Sequence, residues 1–443
     1  MRRVYIETYG CQMNVSDSEL MFGVLGRDGY VRTDDPAVAD VLLINTCAVR
    51  DHAEQRVLGR MGELKRYKRP GDVMGVVGCM AQRLGPKLLA SVPQVDLVIG
   101  PDGYRALPEL IARARDGQRA AEVEFKQWEH YEDVPPVRDN PISAFVTVQR
   151  GCDYRCTFCI VPMTRGPERS RKLADVVGEV ARLAHGGTSE VTLLGQTVNS
   201  YHDGEHDFAD RAVGAVDGIR RLRFTSPYPT DFTPRVLAAM AETPAVCEHV
   251  HLPVQSGSAR TLKRMLRRYD RRQYLDVVAA LRATVPGIAL STDIIVGFPG
   301  ETEGDFQETL SLVEAVAFDD AYTFKYSVRE GTPAVKIKDH VSEETKTERI
   351  GRLIEVVRRV AKRKNVGLVG SAHEVLVEGP AKRGDLLQAR TRTNKIALLE
   401  GPPDWIGTYR HVRFTGTTGS TFTAWPLDDY GVLARSGGEV AWR

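Results

Sequence analysis

The sequence predicts an α/β protein in three parts. These are an N-terminal parallel α/β domain, a partial TIM-like barrel of six strand–helix units, and a small C-terminal β-barrel. Three observations predict it. Short apolar runs alternate with amphipathic stretches over residues 1–125, and the alternation resumes from Ile142 to about Asn365. From 371 to 427 the helical period vanishes, leaving short alternating strands between glycine turns. At 443 residues the chain has room for about three cores.

In the first part, residues 1–125, Val4–Tyr9, Val41–Asn45, Val73–Val77 and Leu97–Ile99 read as strands, with a helical pattern over Asp51–Tyr67 between them. Residues 126–142 carry no period and contain Pro135, Pro136 and Pro141, so they read as a partly stiff linker. The second part, residues 143–369, offers six strands: Ala144–Val148, Val191–Leu194, Arg223–Thr225, His249–Val254, Ala289–Val296 and Ala321–Tyr326. Asp175–Leu183 and Ile350–Ala361 read as helices; in the latter Ile350, Leu353, Ile354 and Val357 share one face. The third part, residues 370–443, offers Glu374–Glu378, Leu387–Thr391, Ile396–Leu399, His411–Thr415 and Thr421–Trp425, a barrel of the size used to hold single-stranded RNA.

Lys plus Arg number 60 against 58 Asp plus Glu, so net charge alone announces no nucleic-acid partner. Local clusters remain. The basic helix carries Lys346, Arg349, Arg352, Arg358, Arg359, Lys362, Arg363 and Lys364 against Glu348 and Glu355. It is either a solvated face or a phosphate-contacting one. Arg267–Arg272 and Lys65–Arg69 are similar patches, and the barrel is mildly positive through Lys382, Arg383, Arg390, Arg392, Lys395, Arg410 and Arg413. No apolar run approaches the ~20 residues of a membrane span, and a soluble, cytoplasmic protein without a membrane partner is expected. With no coiled coil or large apolar surface evident, the expected state is a monomer.

Seven cysteines, an odd number in a large chain, argue for metal or catalytic use and against a disulfide framework. Cys152, Cys156 and Cys159 are spaced C-x3-C-x2-C with no fourth ligand close by. Three thiolates on a short loop hold a 4Fe–4S cubane by three corners and leave one iron open to a substrate or cofactor. The alternative is a zinc loop completed by a distant ligand such as His249 or His251, although the spacing misses the usual zinc patterns. Cys11, Cys47 and Cys79 each follow a predicted strand, so all three fall at the carboxyl edge of one parallel sheet, where ligand crevices form. They again supply three ligands, implying a second cluster with an open iron; the alternative is three unrelated buried cysteines. Cys247 is left over and reads as a buried apolar residue. Gln196, Ser226, Gln255 and Asp293 fall at the carboxyl ends of the second part's strands and are candidate ligand contacts, or else capping and turn residues. The turn Gly297–Glu301 either shapes a pocket or reverses the chain.

The cysteine loop, with aromatic Phe158 before its last cysteine, resembles the radical S-adenosylmethionine (SAM) enzymes, whose open iron chelates SAM. Further segments resemble the methylthiotransferases: Val4–Asn14, Leu43–Arg50, Val77–Gln82, Val161–Gly166, His251–Ser258 and Asp293–Thr302. The resemblance runs through all three parts, and the C-terminal barrel looks like a TRAM domain. It implies two 4Fe–4S clusters, on Cys152, Cys156 and Cys159 and on Cys11, Cys47 and Cys79, with SAM as both radical source and methyl donor. Under it, Phe158, Gln196, Ser226, Gln255 and Asp293 would line the SAM pocket. Glu7–Glu19 and the Cys47 segment are most similar to the branch that methylthiolates carbon 2 of N(6)-dimethylallyl adenosine beside the tRNA anticodon. Other branches act on threonylcarbamoyl adenosine or on a ribosomal protein aspartate, and a non-catalytic iron–sulfur RNA-binding protein is the reading from another class. The implied partners are the tRNA anticodon stem-loop, an electron donor such as flavodoxin or ferredoxin, and a sulfur donor. Thr197 and Tyr228 depart from the Asn and His expected in this branch.

Overall fold

The N-terminal residues fold into a six-stranded sheet: β1 (Arg2–Tyr9), β2 (Tyr30–Arg32), β3 (Val41–Thr46), β4 (Val73–Gly78), β5 (Leu97–Ile99) and β6 (Ala120–Glu122). All neighbours are parallel, in the order β2-β1-β3-β4-β5-β6. β3 and β4 are buried at every position because each face of the sheet carries its own core. Leu20, Leu25, Leu107 and Ile111 fill one face, and Val57, Met61, Leu64 and Leu88 fill the other. The computed structural model describes residues 1–48, 51–210, 213–382 and 384–427, without the side chains of 51–55. Val49, Arg50, Arg383 and the 428–443 portion of the expected barrel part lie outside the described residues.

Segment 126–142 contains no helix or strand, yet it is bound down. Tyr131 and Val134 enter the first core, the Tyr131 hydroxyl donates to Pro101 O at 2.9 Å, and Arg105 clasps Glu129 at 2.8 and 2.9 Å. Next come β7 (Ser143–Thr147), a short antiparallel ribbon of β8 (Gln149–Arg150) and β9 (Arg169–Ser170), then β10 (Glu190–Leu194), β11 (Arg221–Phe224), β12 (His249–His251), β13 (Ala289–Val296) and β14 (Asp320–Lys325). Two parallel three-stranded sheets, β11-β10-β7 and β12-β13-β14, are joined by a bridge between Leu222 and Val246. This is the six-stranded open arc that the sequence predicts. β12 stops at His251, short of the expected Val254, because Pro253 has no N–H to continue a ladder.

The closed C-terminal barrel runs β15 (Ala372–Pro380), β16 (Leu387–Thr391), β17 (Ile396–Leu399), β18 (Tyr409–Thr417) and β19 (Thr421–Pro426), in the order β15-β16-β17-β19-β18. Alternate residues such as Val375, Val377, Ala389, Phe414 and Phe422 fill its interior. Arginines fasten it to the arc. Arg221, fully buried, donates to Arg390 O at 2.7 Å and pairs with Glu374 at 3.0 Å. Arg223 donates to Thr391 O and Arg392 O at 2.9 Å each, and Arg392 pairs with Glu248 at 2.8 Å.

Candidate functional site

Strand register brings the first three cysteines together. Tyr9 lies opposite Thr46, and Thr46 opposite Gly78. Cys47 and Cys79 directly follow that row and Cys11 stands just beyond Tyr9, so they leave three adjacent strands about 4.8 Å apart. Cys47 N donates to Tyr9 O at 3.1 Å. Gly10, at φ +149°, permits this closeness, since a Cβ there would sit 2.9 Å from Cys47 Cβ. A buried asparagine pair locks the base of the loops: Asn14 Nδ2 donates to Asn45 Oδ1 at 3.1 Å, and Asn45 Nδ2 to Asn14 O at 2.7 Å. Cys11 is exposed, while Cys47 and Cys79 are buried.

The second set sits on a loop pinned from two sides. Gly151 takes φ +79°, and any Cβ there would collide with the Pro167 carbonyl. Cys152 N donates to Gly166 O at 3.2 Å, Thr157 N to Met265 O at 3.0 Å, and Ala334 N to Thr157 O at 2.9 Å. Burial pushes the Cys152 thiol up to about 11 and the Cys159 thiol up to about 12. Loading a metal therefore has to displace protons from this loop.

The two sets meet. Ile160, directly after Cys159, packs against Cys79 and Ala48. The short helix Val161–Arg165 then carries Arg165 into the N-terminal sheet's edge, where its Nε donates to Cys79 Sγ at 3.1 Å. On the other set, Arg267 Nη1 donates to Cys156 Sγ at 3.3 Å, with its guanidinium 4.3 Å from the Tyr228 ring and 5.0 Å from the Tyr269 ring. Neither arginine was anticipated for this role. Arg165 lies within a segment carrying only a resemblance, and Arg267 within a basic run open to either a solvated or a phosphate-contacting reading.

The expected cofactor contacts fall around the second set. Phe158 packs on Met265, Phe298, Tyr326 and Ala334, so the turn Gly297–Glu301 lies against the cysteine loop through Phe298. Gln196 follows β10, and its Oε1 is buried without a hydrogen-bond partner. Ser226 and Gln255, beyond β11 and β12, hold left-handed backbones at φ +57° and +69°, the kind of strain that collects at ligand sites. Gln255 N donates to Asp293 O at 2.8 Å, and Asp293 Oδ2 lies 3.3 Å from His251 Nε2. His249 and His251, the ligands of the zinc alternative, both face Ser291 Oγ, at 3.2 and 2.9 Å. The two departures are locally satisfied. Thr197 Oγ1 donates to Glu168 Oε2 at 3.1 Å, and Tyr228 stacks on Tyr154 at 3.7 Å, completing the aromatic bed under Arg267.

No described residues form a group of three His, Cys, Asp or Glu arranged to hold a single metal ion. A cubane places each thiolate on a different iron, a wider arrangement than one tetrahedral zinc. All seven cysteines are free thiols, each triad receives a guanidinium N–H on one sulfur, and an unpartnered buried Gln196 oxygen stands at the candidate SAM pocket. These residues fit two three-thiolate clusters and SAM. Cys247 is buried as expected, although Arg223 and Glu190 give it charged surroundings.

The basic clusters need correction. Arg349 is buried against Glu301 at 2.8 Å, and Arg352, Arg359 and Lys364 pair with Glu303, Glu314 and Asp319. In the barrel, Arg390 pairs with Glu378 at 2.5 Å and Lys395 with Asp319 at 2.8 Å. Most of these cations fasten elements together. Arg358, Lys362, Arg363, Lys382 and Arg413 remain exposed.

Two family models match the chain: the Radical SAM superfamily over residues 146–313 and the uncharacterized protein family UPF0004 over residues 3–100. The tRNA-2-methylthio-N(6)-dimethylallyladenosine synthase of Geobacter sulfurreducens is 46% identical over 421 residues, covering 93% of this chain and 94% of that protein. Its counterpart in Clostridium botulinum is 44% identical over 420 residues, covering 92% and 93%. The chain belongs to this synthase family. Among solved structures, the radical SAM methyltransferase TsrM from Kitasatospora setae, with cobalamin and a [4Fe-4S] cluster bound, superposes with a TM-score of 0.56 at 14% identity, covering 75% of this chain and 74% of that one. The cobalamin-dependent radical SAM enzyme OxsB gives 0.53 at 13% identity, covering 81% and 56%. Both likenesses establish the synthase's α/β radical SAM fold. Sequence kinship establishes that it is a radical SAM enzyme.

Proposed function

We propose that this enzyme adds a methylthio group to carbon 2 of N(6)-dimethylallyl adenosine beside the tRNA anticodon. The observation that carries the reading is the meeting of two complete cysteine triads through Ile160 and Arg165. Cys152, Cys156 and Cys159 would hold one 4Fe–4S cluster and Cys11, Cys47 and Cys79 the other. Clusters and SAM together supply radical activation of an unreactive C–H bond, carriage of sulfur and transfer of a methyl group. The chain's own residues bind, orient and shield. Phe158 and Phe298 form an apolar wall beside the first cluster's loop, and Gln196, with Ser226, Gln255 and Asp293 at the neighbouring strand ends, offers polar contacts to SAM. Exposed Cys11 leaves the second cluster open toward substrate.

The target base is to be read flipped out of a single-stranded loop. Three units serve this chemistry, 1–125, 143–369 and 370–443, with 126–142 packed between the first two; the barrel, TRAM-like in its resemblance, and the exposed cations hold the RNA. An electron donor such as flavodoxin or ferredoxin, a sulfur donor, a monomeric state and a cytoplasmic location complete the reading. Among the described residues no helix is long and apolar enough to cross a membrane. The test is mass spectrometry of tRNA nucleosides after anaerobic incubation of reconstituted enzyme with SAM, reductant and dimethylallyl-modified tRNA. A methylthio mass gain on the modified adenosine is expected. SAM cleavage without that gain would move the substrate to another adenosine or to a protein aspartate.

A further inference from the structure

Among the described residues, the Arg165 and Arg267 guanidiniums each donate to a cysteine sulfur, and Arg165 crosses between the triads. Arg165 comes from the loop-and-helix segment behind Cys159, yet it donates to Cys79 of the other triad at 3.1 Å. Its Nη2 lies 2.6 Å from Asp17 Oδ2, while Asp17 Oδ1 receives Arg150 Nη1 at 3.1 Å. Asp17 is fully buried, and Arg165 and Arg150 are 3% and 4% exposed. Buried ions are costly unless their charges close. Arg165 thus directs both an N–H and a buried positive charge at the Cys79 sulfur, where burial would otherwise disfavour an anionic sulfur.

We propose that Arg165, held in place by Asp17, is a positioning residue that raises the reduction potential of the cluster on Cys11, Cys47 and Cys79. This rests on the two-cluster reading given above. An N–H directed at a ligand sulfur, together with a buried positive charge, stabilises the reduced, more negative form of a cluster.

The test uses the full-length chain with Cys152→Ala, Cys156→Ala and Cys159→Ala, so that only the N-terminal triad is loaded on anaerobic reconstitution. Its one-electron potential is measured by dithionite titration followed by EPR. Arg165→Met is expected to lower the reduction equilibrium constant at least tenfold, about 59 mV for a one-electron couple. Asp17→Asn removes the balancing carboxylate and is expected to move the potential the opposite way, and Arg165→Lys to recover part of the loss. Unchanged potentials at full iron content would overturn the inference. So would shifts in the same direction for Arg165→Met and Asp17→Asn, which is what simple structural damage produces. Should Arg165→Met fail to fold, Asp17→Asn decides alone: a rise supports the inference and its absence overturns it. Failure of the Arg165-containing protein to bind iron would remove the two-cluster reading, and this inference with it.

Discussion

Burial decides the charge of single residues in this fold. His249 is driven down to about 3, chiefly by burial and then by Arg223, so it stays neutral in the folded chain. Its folded value lies below its ordinary 6.5, so the unfolded chain binds the extra proton between them. Stability contributed by neutral His249 is therefore present above 6.5 and lost as pH falls toward 3. Denaturant titrations across that window should show a falling midpoint, and His249→Gln, which keeps a partner for Ser291, should flatten the fall. Cys247 tests the opposite claim, that a cysteine can be present without function. Cys247→Ser should retain full iron content and turnover while losing about 1–3 kcal/mol of stability from burying a hydroxyl. Loss of a cluster in that variant would make Cys247 a ligand after all.

At the scale of elements, apolar runs decided what could be read. Strands of four to nine residues with clear apolar runs were legible, including all five of the barrel. β2 and β6, at the sheet's edges, are three residues each like β5, but Tyr-Val-Arg and Ala-Ala-Glu lack the continuous apolar run that made Leu97–Ile99 legible. The two cysteine triads were legible for different reasons: topology delivers Cys11, Cys47 and Cys79 to strand ends, and spacing marks Cys152, Cys156 and Cys159. Arg165 and Arg267 were not, because a guanidinium's meaning depends on which sulfur or carboxylate it meets in space. The same blindness inflated the basic helix: Glu301, Glu303, Glu314 and Asp319, distant in sequence, consume its cations in the fold. Under the proposed function, RNA contact falls to the exposed remainder. Charge reversal of Lys362 and Arg363 together should weaken tRNA binding and reduce the slope of log K against log salt by about 0.7–0.9 per lost phosphate contact. Arg390→Gln, which breaks the pair with Glu378 and the hydrogen bond to Asn394 within the barrel, should leave the slope unchanged.

Over the whole molecule, the architecture is one of enforced meeting. The parallel sheet presents one triad at its carboxyl edge, the open arc presents the other on the loop after β8, and segment 126–142 is packed into the first core. Arg221, Arg223 and Arg392 fix the barrel to the middle of the arc, at β11 and the segment before β12, so the proposed RNA-holding unit cannot drift from the cysteine loops. Such an arrangement makes sense if the two cysteine sets do separate jobs on one base: one to activate SAM, the other to deliver sulfur. The most direct test compares Cys11→Ala with the unaltered enzyme, measuring 5′-deoxyadenosine release and methylthio nucleoside in the same anaerobic reaction. The account predicts continued SAM cleavage with no methylthio product. Normal methylthio product from Cys11→Ala would contradict it.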